Sequence, residues 1–240
     1  MAAVSVVGLF ILLVVSSHGG SRSRVYQTVD LENHGRILKA VSSYAADNTD
    51  FLPGVGWGTA SACWAHGTNL PSGFAGSLPQ FEAIREQQLR SVTNGQLFPY
   101  LNDSRVFLCP GDEPNGQFFW QRTVFITSYV WNGAGNGYGY LTNSYKLSQF
   151  RPDLILEWEA DGQVPFFFND CSYFPDEGIS SRHMTETLVG QFGGSVGTIL
   201  ITNWFKNDLA GAAGQHGTSI PLSLLPNRVW CSPRTPNGRQ

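Results

Sequence analysis

The first 46 residues carry one continuous pattern. Residues 2–15 (AAVSVVGLFILLVV) are almost wholly apolar, and no charged residue precedes Arg22. From there to Ala46 the chain turns polar but keeps a helical beat. Val25, Val29, Ile37, Val41 and Tyr44 approximate the three-to-four spacing of one apolar stripe. Asp47-Asn48-Thr49-Asp50 breaks the beat and Pro53-Gly54 closes it. The pattern predicts one long helix over residues 1–46, apolar at its start and amphipathic later. Gly19-Gly20 and Gly35 work against it, each costing about 1 kcal/mol relative to alanine. Residues 47–240 read as a globular head carried on this stalk.

Within the head, residues 51–76 are rich in glycine and tryptophan, with turn signals at Pro53-Gly54, His66-Gly67 and Pro71-Ser72-Gly73. They predict irregular loops. Residues 78–90 set Phe81, Ala83, Ile84 and Leu89 among Glu82, Arg85, Glu86 and Arg90, the pattern of a short amphipathic helix. Asn94-Gly95 is a turn. Residues 105–109 predict a short strand stopped by Pro110-Gly111-Asp112, and the β-branched and aromatic run 123–131 predicts another. The glycine-rich stretch 132–139 (NGAGNGYG) lacks the strand–turn–helix context of a phosphate loop and is read as a turn. In residues 154–160, Leu154, Leu156 and Trp158 alternate with Glu157 and Glu159. That predicts a half-buried strand with both glutamates on its solvated face. Residues 165–168 make a further apolar patch. Residues 197–204 (GTILITNW), apolar on both faces, predict a central strand, and 227–231 a last short one. One helix and then many short strands give an α+β fold with an antiparallel sheet and long loops.

Composition narrows the compartment. The chain has 240 residues, 42% of them hydrophobic, which is enough for a sizeable core. Only 14% are charged, the net charge is −3 and no basic block occurs, so nucleic acid is excluded as a partner class. The cysteines Cys63, Cys109, Cys171 and Cys231 are dispersed, with no C-x-x-C spacing. Behind an apolar N-terminus they favour export and two disulfides, with Cys63–Cys109 and Cys171–Cys231 the preferred pairing of the three available. The alternative is four buried free thiols.

The apolar start has three readings. A cleaved signal peptide would carry a basic n-region, which is absent here, although Ser16-Ser17 could lie near a cleavage site. A transmembrane helix needs about 20 apolar residues, more than this run supplies. Arg22 and Arg24 behind the run would place the head in the cytoplasm by the positive-inside rule, against its exported look. An apolar start that continues upstream of Met1, behind a basic leader, resolves both conflicts.

Candidate chemistry is thin. Glu157 and Glu159 could stand at a glycosidase-like separation, but no cleft is evident, and a solvated strand face explains them. His183 could act as a base with Asp161 or Asp170, yet no nucleophile motif accompanies it, so Arg182-His183 is read as a structural pair. Asp47, Asn48 and Asp50 do not fit a calcium loop and are read as helix-end capping. Asp112-Glu113 and Asp176-Glu177 are oxygen-rich loops that could take calcium on ligand type alone. The seven tryptophans are read as core and loop packing rather than a sugar platform.

Several segments resemble a known family in order along the chain. Tyr44-Ala45-Ala46-Asp47-Asn48, followed by Phe51 and Pro53, resembles the end of the stalk helix in type IV pilin-like proteins and type II secretion pseudopilins. The likeness is to their large-headed planctomycete–verrucomicrobial family. Leu97-Phe98-Pro99-Tyr100-Leu101 and Cys109-Pro110-Gly111-Asp112 resemble that family's Leu-x-Pro-Tyr-Leu and Cys-Pro-x-Asp, and Ser128-Tyr129-Val130-Trp131-Asn132 its Ser-Tyr-x-x-Asn. Arg182-His183 is followed after nine residues by Gly193-Gly194-Ser195-Val196, where the family has Asp-Gly-His-Val. Gly193 thus replaces an expected aspartate and Ser195 a histidine. Ser5 stands where the family's N-terminal glutamate would fall. Placing the family's Phe-Thr-Leu-Ile-Glu-Leu directly before Met1 would restore both the glutamate and the span.

The resemblance implies a pilin-like fold and a non-enzymatic subunit of a type IV pilus-like or type II secretion pseudopilus-like filament. Its partners would be other pilin-like subunits, met through the N-terminal helix, with the inner membrane holding that helix before assembly. The head would face the periplasm or the outside, without a cofactor unless calcium binds. The competing class is a secreted carbohydrate-binding module or hydrolase with a cleaved signal peptide.

Overall fold

The computed structural model describes residues 2–71, 76–114 and 117–239, with side chains from Arg24 onward, Gln117 apart. The side chains of residues 2–15, Ser5 included, and the turn expected at Ser72-Gly73 lie outside the described residues. Among the described residues no helix is long and apolar enough to cross a membrane.

Helix α1 (Ala2–Asp47) runs unbroken through Gly35. Its buried face differs from the expected apolar stripe. Val25 and Val29 are exposed, and burial runs through Asp30, Asn33, His34, Ile37, Leu38, Val41 and Ala45. The spacing is that of one helix face, but its first turn is polar. Of the three residues expected to cap the end of α1, Asn48 does so, its Nδ2 donating to the Tyr44 carbonyl at 2.8 Å, whereas Asp47 accepts from the Tyr100 hydroxyl and Asp50 from Ser148. Thr49 and Asp50 then take positive φ values of 56° and 72° and turn the chain away.

The amphipathic segment forms α2 (Leu78–Val92), which buries Phe81, Gln88 and Val92. Phe81 packs against Phe119 and Phe125 in a small cluster of its own. Single helical turns follow at α3 (Phe98–Leu101) and α4 (Gln117–Trp120). The strand expected at 105–109 is instead a 3-10 turn, Ser104–Phe107, capped by Asp103 accepting from the Arg105 amide.

The sheet holds β1 (Tyr129–Asn132), β2 (Ile155–Glu159), β3 (Ser172–Tyr173), β4 (Glu186–Gln191) and β5 (Val196–Leu200). Their order is β3-β1-β2-β4-β5. The sheet is mixed rather than wholly antiparallel, because β3 pairs parallel to β1. Of the run 123–131, only the end enters β1. The stretch 197–204 is not central: β5 is the edge strand, and the chain then coils into α5 (Ile201–Trp204) to bury Trp204. Residues 227–231 form no strand, although the Arg228 carbonyl accepts from the Ile155 amide.

Two cores flank the sheet. Ile37, Leu38 and Val41 of α1 pack with Trp64, Trp131 and Leu156 on one face. Ile155, Trp158, Val189, Trp204 and Trp230 pack on the other. Five tryptophans are therefore fully buried core residues, as expected. The packing boundary falls near Asp30, so residues 30–45 of α1 belong to the head's core.

Strand β2 carries the main correction. Its register against β4 shifts between Ile155 and Glu157, a bulge at Leu156. Leu156 joins the α1-side core, whereas Trp158 joins the opposite one. Leu156 and Trp158 therefore do not share a face, and Glu157 and Glu159 point under α1. Both glutamates are completely buried rather than solvated.

Candidate functional site

One helix turn brings Asp30, Asn33 and His34 to the same side of α1, above the two glutamates of β2. His34 Nδ1 lies 3.0 Å from Glu157 Oε1. Asp30 accepts a very short hydrogen bond from the Tyr129 hydroxyl on Oδ1. The Asn33 amide donates to the Leu108 carbonyl at 3.0 Å and ties α1 to the next segment.

The turn before β4 supplies Arg182 and His183. His183 Nε2 stands 3.1 Å from Asp30 Oδ2 and 3.2 Å from Glu159 Oε2. Cys109 Sγ lies 3.5 Å from the same nitrogen. Arg182 Nη1 donates to Glu159 Oε1 at 3.1 Å, and its Nη2 lies 3.1 Å from Asp112 Oδ1. Arg122 donates twice to Asp112, at 2.7 and 2.8 Å, and Ser128 donates a third time. This network thus buries four carboxylates, Asp30, Asp112, Glu157 and Glu159, against Arg122, Arg182 and two histidines. The charges match only when both His34 and His183 are protonated.

The protonation tendencies agree. Burial opposes charge on His183, but Asp30 and Glu159 outweigh it and lift its pKa to about 9. Burial likewise works against the Glu159 carboxylate, yet His183 and Arg182 hold it down at about 2. Burial pushes Glu157 up while its ion pair lifts His34, so this pair retains a proton between them. Burial, then Glu159 and Asp30, drives the Cys109 thiol far above its ordinary range.

Of the residues singled out in the sequence, Cys109, Asp112, Ser128, Tyr129, Glu157, Glu159, Arg182 and His183 meet in this one network. The others do not. Tyr44, Asp47, Asn48, Pro99 and Tyr100 gather at the end of α1, where the Tyr100 hydroxyl donates to Asp47 and Tyr44 packs edge-on against Tyr100. Pro110 follows Cys109 at the rim. Asn132 clamps the loops, its amide donating to the Ile155 and Val229 carbonyls at 2.9 and 2.7 Å. Gly193 and Gly194 form the β4–β5 turn. A Cβ on Gly193 would lie 2.7 Å from the Pro152 Cβ and 2.8 Å from its carbonyl, so the position is closed to the expected aspartate. Asp30, His34 and Arg122 were missed, and Glu157 and Glu159, expected on a solvated face, are buried. The available signal was the charged pair Asp30/His34, four residues apart and in phase with Ile37 and Val41.

The calcium candidates are not brought together. Asp112 faces two guanidinium groups, which repel a cation, and Glu113 is exposed. Asp176 and Glu177 spend oxygens on the Gly217 and Phe174 amides. A cleft of about 570 Å³ opens beside Arg122 and Arg182, bounded by Asp112, Asp161, Gly162 and Ser180.

A second buried cluster joins Cys63, His66 and Cys171, with one ligand atom from each within 4.8 Å of the others. His66 Nδ1 donates to the Gly67 carbonyl at 2.6 Å, which leaves Nε2 buried without a hydrogen-bond partner. Burial disfavours a Cys63 thiolate, but Cys171 and His66 prevail and bring its pKa to about 5. All four cysteines are free and buried. Cys63 lies with Cys171, whereas Cys109 sits in the carboxylate network, so the expected Cys63–Cys109 pairing is not the one the fold approaches. Among the described residues, two groups are equipped to hold a metal ion: Cys63, His66 and Cys171; and Asp30, Cys109, Glu159 and His183. No family model, no curated protein and no solved structure matches this chain.

Proposed function

We propose that this protein is a structural subunit of a type IV pilus-like or pseudopilus-like filament rather than an enzyme. The observation that carries the reading is the division of labour along α1. From Asp30 to Ala45 one face of the helix is a core element of the head, while Val25, Val29 and Leu31 present apolar side chains to solvent around the point where it enters. Exposed apolar positions on a long helix suit packing against other helices, where burying apolar surface contributes about 25 cal/mol per Å². The ordered motif resemblance points the same way. In this reading the apolar residues 2–15 lie in the inner membrane first and then in a filament core with other pilin-like subunits. The head faces the periplasm or the exterior.

Mass-spectrometric reading of the mature N-terminus, in membrane, sheared-filament and soluble fractions, tests the proposal. Residues 2–15 are expected to be retained in a membrane or filament fraction. A soluble chain cut after Ser17 or Gly20 would overturn the reading in favour of a secreted binding module or hydrolase.

A further inference from the structure

We propose that Asp30, Cys109, Glu159 and His183 form a closed tetrahedral site for a divalent transition-metal ion, zinc foremost, that fastens α1 to the head. The inference is independent of the filament reading.

The geometry carries it. The four ligand atoms lie within 4.8 Å of one another and all four residues are buried. A tetrahedral zinc ion has bonds of about 2.0–2.1 Å to nitrogen and oxygen and about 2.3 Å to sulfur. Its nitrogen–oxygen edges are then about 3.3 Å and its nitrogen–sulfur edge about 3.6 Å. His183 Nε2 stands 3.1 and 3.2 Å from the two carboxylate oxygens and 3.5 Å from the thiol. These three edges are already close to tetrahedral.

The surrounding contacts fit the same arrangement. Each carboxylate turns one oxygen to the centre and has the other held from outside. Tyr129 holds Asp30 Oδ1, and Arg182 holds Glu159 Oε1. Outer partners of this kind orient ligating carboxylates. Binding an ion displaces the protons from His183 Nε2, whose one N–H otherwise faces three acceptors, and from Cys109 Sγ. Glu159 Oε2 is left buried with no hydrogen-bond partner. An ion at the centre would engage all four atoms at once.

Ligand chemistry selects the ion. One thiolate, one imidazole and two carboxylates exclude calcium and magnesium, which take oxygen ligands, and suit zinc. Four protein ligands leave no open coordination position, the mark of a structural rather than a catalytic site. The ligands come from α1, the loop after Ser104–Phe107, β2 and the turn before β4, so one ion would join four separate segments.

Elemental analysis of the full chain, purified without chelators, is expected to find about one zinc per chain. Cobalt exchanged for that zinc should give visible bands of tetrahedral Co(II) and a near-ultraviolet thiolate charge-transfer band. Cys109→Ser should lose the charge-transfer band. The triple variant Cys63→Ser/Cys171→Ser/Cys231→Ser, with Cys109 its sole thiol, should keep it, and this variant decides the matter if Cys109→Ser does not fold. Folded wild-type chain that takes up neither zinc nor cobalt overturns the proposal. So does a charge-transfer band that survives Cys109→Ser, which would place the ion at Cys63 and Cys171.

Discussion

His34 Nδ1 lies 3.0 Å from Glu157 Oε1, and neither side chain reaches solvent. The pair joins α1 to the bulged strand β2 across 123 residues of sequence. Removing one partner of a buried pair strands the other charge, which costs about 3–5 kcal/mol. Glu157→Ala is therefore expected to lower stability to urea by that order. The double variant His34→Leu/Glu157→Leu should recover most of it, because an apolar pair of similar volume is often nearly neutral. Urea midpoints of the two variants check this. A double variant no more stable than Glu157→Ala would show that the pair is not what holds α1 here.

The same packing decides where the chain can be shortened. A chain beginning at Val25 keeps Asp30, His34, Ile37, Leu38 and Val41, and should melt cooperatively. One beginning at Asp47 loses the buried side chains of Ile37, Leu38 and Val41, each contributing about 1.5–3 kcal/mol, and takes His34 from Glu157 and Asp30 from His183. It should show no cooperative transition by circular dichroism. A sharp melt from the shorter chain would mean that α1 is not a core element.

What the sequence discloses follows its local physics. The continuity of α1, the amphipathic α2 and the turn at Asn94-Gly95 rest on spacing and turn chemistry within a few residues, and they were legible. Burial of the β2 glutamates was not. The alternation of Leu154, Leu156 and Trp158 implies a regular strand, and a one-residue bulge reverses its faces without leaving a local mark. Nor could His34, Arg182 and His183 be assigned as partners, since each arrives from a distant segment. The 3-10 turn at Ser104–Phe107 escaped for the opposite reason. A single capping contact from Asp103 outweighed the β-branched and aromatic character of Val106 and Phe107.

The cysteines give a second check on the fold. Cys63 and Cys171, which share a cluster with His66, are placed to link, and the lowered Cys63 pKa supplies the attacking thiolate. Mild oxidation of the native protein followed by peptide mapping should recover a Cys63–Cys171 bridge, with Cys109 and Cys231 alkylated singly. A Cys63–Cys109 bridge would require a different arrangement of the loop after α3.

Burial pushes the Glu177 carboxyl from its ordinary 4.5 up to about 7. Between those values the folded chain holds a proton that the unfolded chain has lost, so stability must fall as pH rises through the window. Asp170, pushed up to about 6, adds a contribution of the same sign. Glu177→Gln keeps an acceptor for the Phe174 amide and removes the titration. Urea midpoints between pH 4.5 and 7 should decline in the wild type and decline less steeply in the variant. Parallel slopes would remove Glu177 from the account.

Gly190 shows how tightly the bulge is closed. It pairs with Glu157 across β2 and β4, and an added Cβ would lie 2.6 Å from both Cγ and Oε1 of that glutamate. Its φ lies outside the left-handed region, so the constraint is space rather than backbone conformation. Glu157 cannot swing aside without breaking its contact with His34. Gly190→Ala should therefore cost about 1–3 kcal/mol, the usual penalty for overfilling a packed interior. In a Glu157→Ala background the obstructing atoms are gone, and the same substitution should cost almost nothing. Two residues in contact are expected to be non-additive in this way, and a double-mutant cycle by urea denaturation measures the coupling directly. If Gly190→Ala costs the same in both backgrounds, the strand is yielding elsewhere and the close approach of β4 to Glu157 is not what fixes the glutamate under α1.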